Sequence, residues 1–336
     1  MYENILIFFL IFNFIILIFF NKFSKIFNIY DQKDGIRKFQ KKAISLIGGT
    51  IIYINLIYFF ILDFFFPLNF FDNSFLFYTR ECFILIFGIS FCYLLGLYDD
   101  RYQFSANQKL IYNIILISIL LLIDDSLIIT ELKFSFLKEI IELRSFSFVF
   151  TLLCFLLFIN ALNMFDGINL QVITYSCVIF SIFIFKDVFL SISYIIIMSL
   201  IFVGFYNFRN KAYLGDSGTQ LLSFIISYIF IKSYNLDYTF LSDEIFIIMM
   251  LPGLDMFRLF LYRIYNGKHP FKGDLNHFHH ILKKKFSPLL TFLIPQLIII
   301  LFILLYYFME SKIHVLVACI FFYILVLVLL KNVENN

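Results

Sequence analysis

Residues Phe150–Phe185, "FTLLCFLLFINALNMFDGINLQVITYSCVIFSIFIF", alternate an apolar run, a polar break and a second apolar run. The break, "NALNMFDGINLQ" from Asn160 to Gln171, gathers three asparagines, a carboxylate and a glycine. A bilayer span needs roughly 20 apolar residues. Polar side chains at membrane depth are expensive and mark function when they occur. The stretch therefore reads as two membrane helices joined by a working turn.

The same alternation runs outward in both directions. The 336 residues are 62% hydrophobic, well above the roughly half of a soluble domain. The 51 Phe and abundant Ile also have A/T-rich codons, so run length carries more weight than composition. Eleven spans are expected, near 5–20, 46–66, 75–97, 110–123, 146–160, 168–185, 188–206, 219–231, 244–262, 288–308 and 313–330. The fold class is thus an all-α polytopic membrane protein with 10 to 11 helices, one integral membrane domain over residues 1–336. The N-terminus has no basic leader or small-residue cleavage site, so its first apolar run is expected to be retained. All five cysteines lie in apolar runs without paired spacing, which argues against a disulfide framework or a CxxC metal site.

An odd number of spans puts the two termini on opposite sides. The loops 21–45, 98–109, 160–168, 206–218 and 262–287, with Arg258 and the C-terminal tail, hold 19 of the 26 Lys and Arg. Basic loops stay inside, so these loops and the C-terminus are expected in the cytoplasm and the N-terminus outside.

Four polar groups lie in or beside those loops. Asp99 and Asp100 in "GLYDDRYQ" end a span, where adjacent carboxylates repel unless a cation or solvent relieves them. The plainer alternative is an ordinary interfacial loop, as "LLIDDSL" with Asp124 and Asp125 is read. Asn160, Asn163 and Asp166 recur every three residues and share one helix face; the plainer alternative is hydrogen bonding between spans. Gly167 after Asp166 lets backbone come close to a ligand. In "AYLGDSGTQ", Gly215 and Gly218 bracket Asp216 just before a span. Such a turn offers free N–H groups to phosphate, and the aspartate suits Mg²⁺. In "GKHPFKGDLNHFHHILKKK", His277, His279 and His280 crowd a basic loop with Arg263, Lys268, Lys272 and Lys283. Neighbouring histidines without cysteine make a poor tetrahedral zinc site, so an anion is the expected ligand. Carboxylates for a divalent cation, a glycine turn and a basic loop together describe phosphoryl transfer at a membrane surface.

On these motifs the chain resembles the polyprenyl-phosphate N-acetylhexosamine-1-phosphate transferases, with phospho-N-acetylmuramoyl-pentapeptide transferase as a more distant relative. The resemblance covers about residues 30 to 285 and rests on the Asp-Asp pair, "NALNMFDGIN", "GDSG" and "HFHH" in family order. "RKFQKKAISLIGGT", residues 37–50, echoes the family's N-terminal loop. The chain departs from the pattern at Asn169 and Leu170, where the family has Asp-Gly, and at Leu275, where it has Arg. Gln40, Ala43 and Ser45 replace the His and two Pro of the N-terminal loop.

The resemblance implies that polyprenyl phosphate attacks the β-phosphate of a UDP-sugar, giving a lipid pyrophosphoryl sugar and UMP. It implies Asp100 and Asp216 for Mg²⁺ (or Mn²⁺), and Asp99 for orienting or deprotonating the lipid phosphate, with Lys109 binding it. It implies Asn160, Asn163 and Asp166 for the nucleotide, Asn169 as a substrate-binding residue whose amide oxygen can coordinate a cation but brings no charge, Tyr213 for the uracil ring and Asn207 for the nucleoside. His277, His279 and His280 would take the pyrophosphate or sugar. The expected setting is the bacterial inner membrane, at the first membrane step of O-antigen, capsule or wall-polymer synthesis. No nucleic acid is expected as partner, and a homodimer is left open. Two rivals remain at this point: a lipid-binding relative that has lost catalysis, and a transporter.

Overall fold

Hydrocarbon offers no water to peptide groups, so each apolar run folds as a helix, which pairs its N–H and C=O groups internally. The computed structural model describes residues 2–31, 43–65, 79–268 and 276–332. The helices are α1 (Tyr2–Ile18), α2 (Phe20–Phe27), α3 (Gly48–Phe65), α4 (Thr79–Tyr102), α5 (Ala106–Ile123), α6 (Ser147–Phe165) and α7 (Gln171–Phe185). They continue as α8 (Leu190–Phe208), α9 (Gly215–Asp237), α10 (Ser242–Tyr265), α11 (Phe278–Lys285), α12 (Pro288–Phe308) and α13 (Lys312–Asn332). Strands β1 (Tyr30–Asp31) and β2 (Ile44–Ser45), and β3 (Glu131–Leu132) and β4 (Ile141–Glu142), form two small antiparallel pairs.

The protein is an all-α multi-pass membrane protein. Among the described residues a separate helix overlaps each of the eleven expected spans, the first of which, 5–20, also reaches Phe20 of α2, while α11 lies outside that expectation. Seven helices, α4, α5, α6, α8, α10, α12 and α13, are long and apolar enough to cross a bilayer. The pair α1 and α2, bent by 72°, makes an eighth if it is one span. α3 and α7 are apolar but shorter. Gln40, Lys272, Asp274 and Leu275 lie outside the described residues.

The chain divides into two compact units. One comprises Met1–Ser105 and Val172–Ile229. Here α3 packs against α4 and α8, and α1 against α8. Two buried asparagines fix α1 to α3: Asn13 Nδ2 donates to Asn55 Oδ1 at 2.7 Å and Asn55 Nδ2 donates back at 3.0 Å. Each Nδ2 also reaches the carbonyl four residues earlier in its own helix, Phe9 O and Ile51 O. The bend after α1 is held by Tyr206, whose ring stacks on Phe20 at 3.8 Å and whose hydroxyl donates to Leu17 O.

The other unit comprises Ala106–Gln171 and Phe230–Asn336. α10 packs against α6, α12 and α13, and α11 lies against α12 and α13. Asp124, read from sequence as part of a plain interfacial pair, is instead buried. Its Oδ2 lies 3.0 Å from Lys232 Nζ, a side chain with 0% exposure on α9. Lys232 also donates to Ser126 Oγ. Asn235, one turn further along α9, donates to Ser126 O at 2.7 Å and Ile128 O at 3.1 Å. A buried ion pair survives only when its remaining polar atoms are satisfied in this way.

Candidate functional site

The first group of expected residues lies in the first unit, at the start of α9. Asp100, in the last turn of α4, accepts the Asp216 N–H at 2.7 Å on Oδ1 and the Ser217 N–H at 3.0 Å on Oδ2. A carboxylate there suits the positive end of the helix dipole. The sequence reading left these N–H groups for phosphate, but Asp100 already holds two of them. The capping draws Asp100 and the half-buried Asp216 to one helix end. Gly215 permits this twice over: its φ of +75° is left-handed, and a Cβ would come within 2.7 Å of Asp100 Oδ2.

Glycines also bring the neighbouring helices close. A Cβ on Gly96 would overlap the Asp216 carbonyl, and one on Gly88 would overlap the Phe224 ring. These two residues lie eight apart on one face of α4, a small-residue signal outside the four polar motifs. Before α3, Ser45 bridges in parallel to Ala212, and Tyr213 N–H donates to Ser45 O at 2.8 Å. Gly48 and Gly49 N–H then donate to Tyr213 O and Leu214 O at 3.0 and 2.9 Å. This short zipper fixes the half-buried Tyr213, three residues before Asp216.

Asn207 is buried, and its Nδ2 donates to Ala212 O at 3.1 Å. It closes the turn that leads to Tyr213. Asp99 is buried and its Oδ1 accepts the Phe104 N–H at 2.6 Å, which caps the turn leaving α4.

The second group lies in the other unit. Lys109 is half-buried in the first turn of α5. Asn160 and Asn163 are half-buried on α6, where Asn160 Nδ2 donates to Leu156 O at 2.7 Å. α6 ends at Phe165, so Asp166 leaves the helical face it was expected to share and is exposed. Asn169 is half-buried, and Leu170 after it has φ +66°. The backbone thus keeps a conformation suited to glycine although a leucine occupies it, at a cost of about 1–2 kcal/mol.

Gly167 does admit a close neighbour, but that neighbour is His279. A Cβ on Gly167 would overlap the His279 ring. His279 is 2% exposed and stacks on His277 with ring centres 5.5 Å apart and an angle of 11°. Burial, aided by His280 and His277, pushes the His279 imidazole down to about 3. It is therefore neutral near pH 7. His280 is half-buried.

His277 is oriented by Asp255 on α10, whose Oδ2 accepts from Nδ1 at 3.3 Å. The same carboxylate takes the Phe278 N–H at 3.2 Å, capping α11, and Arg258 Nη2 at 2.7 Å. Tyr323 on α13 donates to Asp255 Oδ1 at 2.9 Å and accepts from Arg258 Nε at 3.0 Å. Arg258 Nη2 also donates to Asn276 O at 2.6 Å. Tyr323 lies beyond every motif, inside an apolar run, and nothing in the sequence singles it out.

Among the described residues no group of three or more His, Cys, Asp or Glu is arranged to hold a metal ion. Zinc, which takes three or four protein ligands, does not fit. Mg²⁺ does, since it keeps waters and is held by one or two carboxylates plus substrate phosphates. Asp100 and Asp216 supply that donor set, and each Asp100 oxygen retains a lone pair beyond its N–H bond.

Fold and polar residues define a multi-pass helical membrane protein whose carboxylates and histidines are built into helix ends. Comparison with known proteins agrees. The family model described as "Glycosyl transferase family 4" matches residues 82–234. The chain is 26% identical over 298 residues to an undecaprenyl-phosphate alpha-N-acetylglucosaminyl 1-phosphate transferase of Escherichia coli O157:H7, covering 84% of the chain and 77% of the relative. It is 29% identical over 214 residues to a probable undecaprenyl-phosphate N-acetylglucosaminyl 1-phosphate transferase of Bacillus subtilis (strain 168), covering 60% and 59%. A Salmonella typhi undecaprenyl-phosphate alpha-N-acetylglucosaminyl 1-phosphate transferase is 24% identical over 277 residues, covering 78% and 72%. Over residues 82–234 the chain is similar to glycosyl transferase family 4.

Proposed function

We propose that the protein transfers a sugar 1-phosphate, with N-acetylhexosamine as the sugar, from a UDP-sugar to polyprenyl phosphate. A lipid phosphate oxygen forms a new bond to the β-phosphorus of the UDP-sugar. The bond from that phosphorus to the bridging oxygen breaks, and UMP leaves with the electron pair. The second pKa of a phosphate monoester is about 6, so the lipid phosphate is mostly dianionic at neutral pH and needs little base. The larger obstacle is bringing two polyanions together. Asp100 and Asp216 would hold Mg²⁺, which supplies charge neutralisation for the phosphates.

The observation that carries this reading is the convergence of Asp100 and Asp216 on one glycine-opened helix end. In it Asp99 orients the lipid phosphate and Lys109 binds it. Tyr213 stacks on uracil while Asn207 holds its turn from behind. Asn160, Asn163, Asp166 and Asn169 face the nucleotide. His277, aligned by Asp255, and His280 bind the pyrophosphate or sugar. The positive-inside pattern supports an inner-membrane setting with the basic loops and C-terminus in the cytoplasm. The reaction would be the first membrane step of a cell-surface polysaccharide.

The test is UMP release by purified protein given Mg²⁺, undecaprenyl phosphate and a panel of UDP-N-acetylhexosamines. Turnover with at least one donor is expected. Lipid-phosphate binding without UMP from any donor would mean a relative without catalysis. UDP-sugar exchange across sealed vesicles without UMP release would mean a transporter.

A further inference from the structure

We propose that His279 is a positioning residue: its imidazole, packed on Gly167, holds the Asp166–Asn169 turn and does not itself contact substrate. The inference rests on the transferase reading, in which that turn faces the nucleotide.

Gly167 does not need its glycine for backbone reasons, because its φ lies outside the left-handed region. It needs the missing side chain, since the space a Cβ would take is filled by the edge of the His279 ring. The contact joins two motifs far apart in sequence. On one side is a turn braced by Gly167 N–H to Phe165 O at 2.9 Å and Gln171 N–H to Ile168 O at 3.1 Å. On the other is α11, whose first N–H is fixed by Asp255. His279 is the piece between them, enclosed by Gly167, His277 at 5.5 Å and His280 at 4.3 Å between ring centres. A ring so enclosed has little surface left for a ligand, and its neutrality removes the charge an anion would seek. The three histidines therefore divide: His277 and His280 remain for substrate, while His279 sets where the turn stands.

The test is a steric swap, read by UMP release from UDP-GlcNAc and undecaprenyl phosphate. Gly167→Ala pushes the turn off the ring and should lower kcat/KM about 100-fold, the scale of a misplacement near 1 Å. The loss should appear mainly as a raised KM for UDP-GlcNAc, with KM for the lipid phosphate unchanged. Adding His279→Ala makes room for the methyl and should restore at least tenfold. A double variant no better than Gly167→Ala would overturn the proposal. Should the double variant fail to fold, His279→Gln decides: it keeps bulk without an imidazole and should retain about a tenth of wild-type kcat/KM or more, whereas a 1,000-fold loss would make His279 a ligand. If the wild type itself released no UMP, the transferase reading would fail. The same variants would then be ranked by UDP-GlcNAc binding in a thermal-shift titration, where rescue supports the packing role and its absence refutes it.

Discussion

The chain carries two Asp-Asp pairs, Asp99–Asp100 and Asp124–Asp125, each where an apolar helix ends. Both reach α9, at different ends of it. Asp124 meets the fully buried Lys232 at 3.0 Å, and its charge is cancelled inside the protein. Asp100 meets the N–H groups of Asp216 and Ser217. Those dipoles hold the carboxyl group in place without a countercharge, with a second carboxyl on Asp216 beside it. Sequence separates the pairs by loop side and by the family resemblance, but it reads Asp124–Asp125 as a plain interfacial loop and does not show its buried cation. What separates them in the fold is the partner: a cation makes a carboxylate structural, and a set of N–H donors fixes its position while keeping it available to an external cation.

The largest expected effect tests that distinction at the α9 start. Asp216→Asn and Asp100→Asn should each lower UMP release by about 1,000-fold, comparable to losing a main electrostatic contact at a reaction centre. Both proteins should still elute as folded species from detergent columns, and near-normal turnover from Asp216→Asn would sink the metal assignment.

Lys232→Met tests the other pair. It leaves Asp124 buried without its cation, and should cost about 3–5 kcal/mol of stability, read as a fall in Tm with little change in activity per folded molecule. Lys232→Met combined with Asp124→Leu should regain most of that loss. If activity rather than stability collapsed, the contrast between the pairs would be wrong.

Tyr323→Phe sharpens the contrast with an intermediate case. Asp255 is compensated by Arg258 yet also aligns His277, so removing the Tyr323 hydroxyl should cost about 1.5–3 kcal/mol. The loss should show partly in Tm and partly as a reduced kcat. A change in Tm alone would confine Tyr323 to the fold.

The smallest effects concern Asn169 and Leu170. Leu170→Gly should raise stability by about 1 kcal/mol by relieving the left-handed strain, measured as a small rise in Tm. Asn169→Asp restores the charge found in the family pattern and should leave UMP release measurable. Complete loss would show that the amide is specifically required here.

The helices were legible because a run of apolar residues in lipid has one outcome. Their membrane-crossing status was less so: α3, α7 and α9 are short, or interrupted by charge, once their ends are set by Gly48, Gln171 and Gly215. The carboxylates and histidines stood out as polar residues in an apolar chain. What each does was hidden, because it depends on partners distant in sequence. Gly167 was read as room for a ligand, and that room belongs to His279. Asp166 was placed on a helical face that ends one residue earlier. Lys232 and Tyr323 vanish inside apolar runs, where only the fold shows that their polar ends have partners.

The Asn13–Asn55 pair has a consequence for how the chain is assembled. Both amides are satisfied only when α1 and α3 stand in a single register, so a slip of one residue would leave amide groups facing lipid. An unpaired polar group in hydrocarbon costs several kcal/mol. Until α1 is beside it, Asn55 on α3 lacks its cross-helix partner and keeps only its bond to Ile51 O. A chain lacking residues 1–18 should be cleared from cells faster than one in which Asn13 and Asn55 are both replaced by leucine.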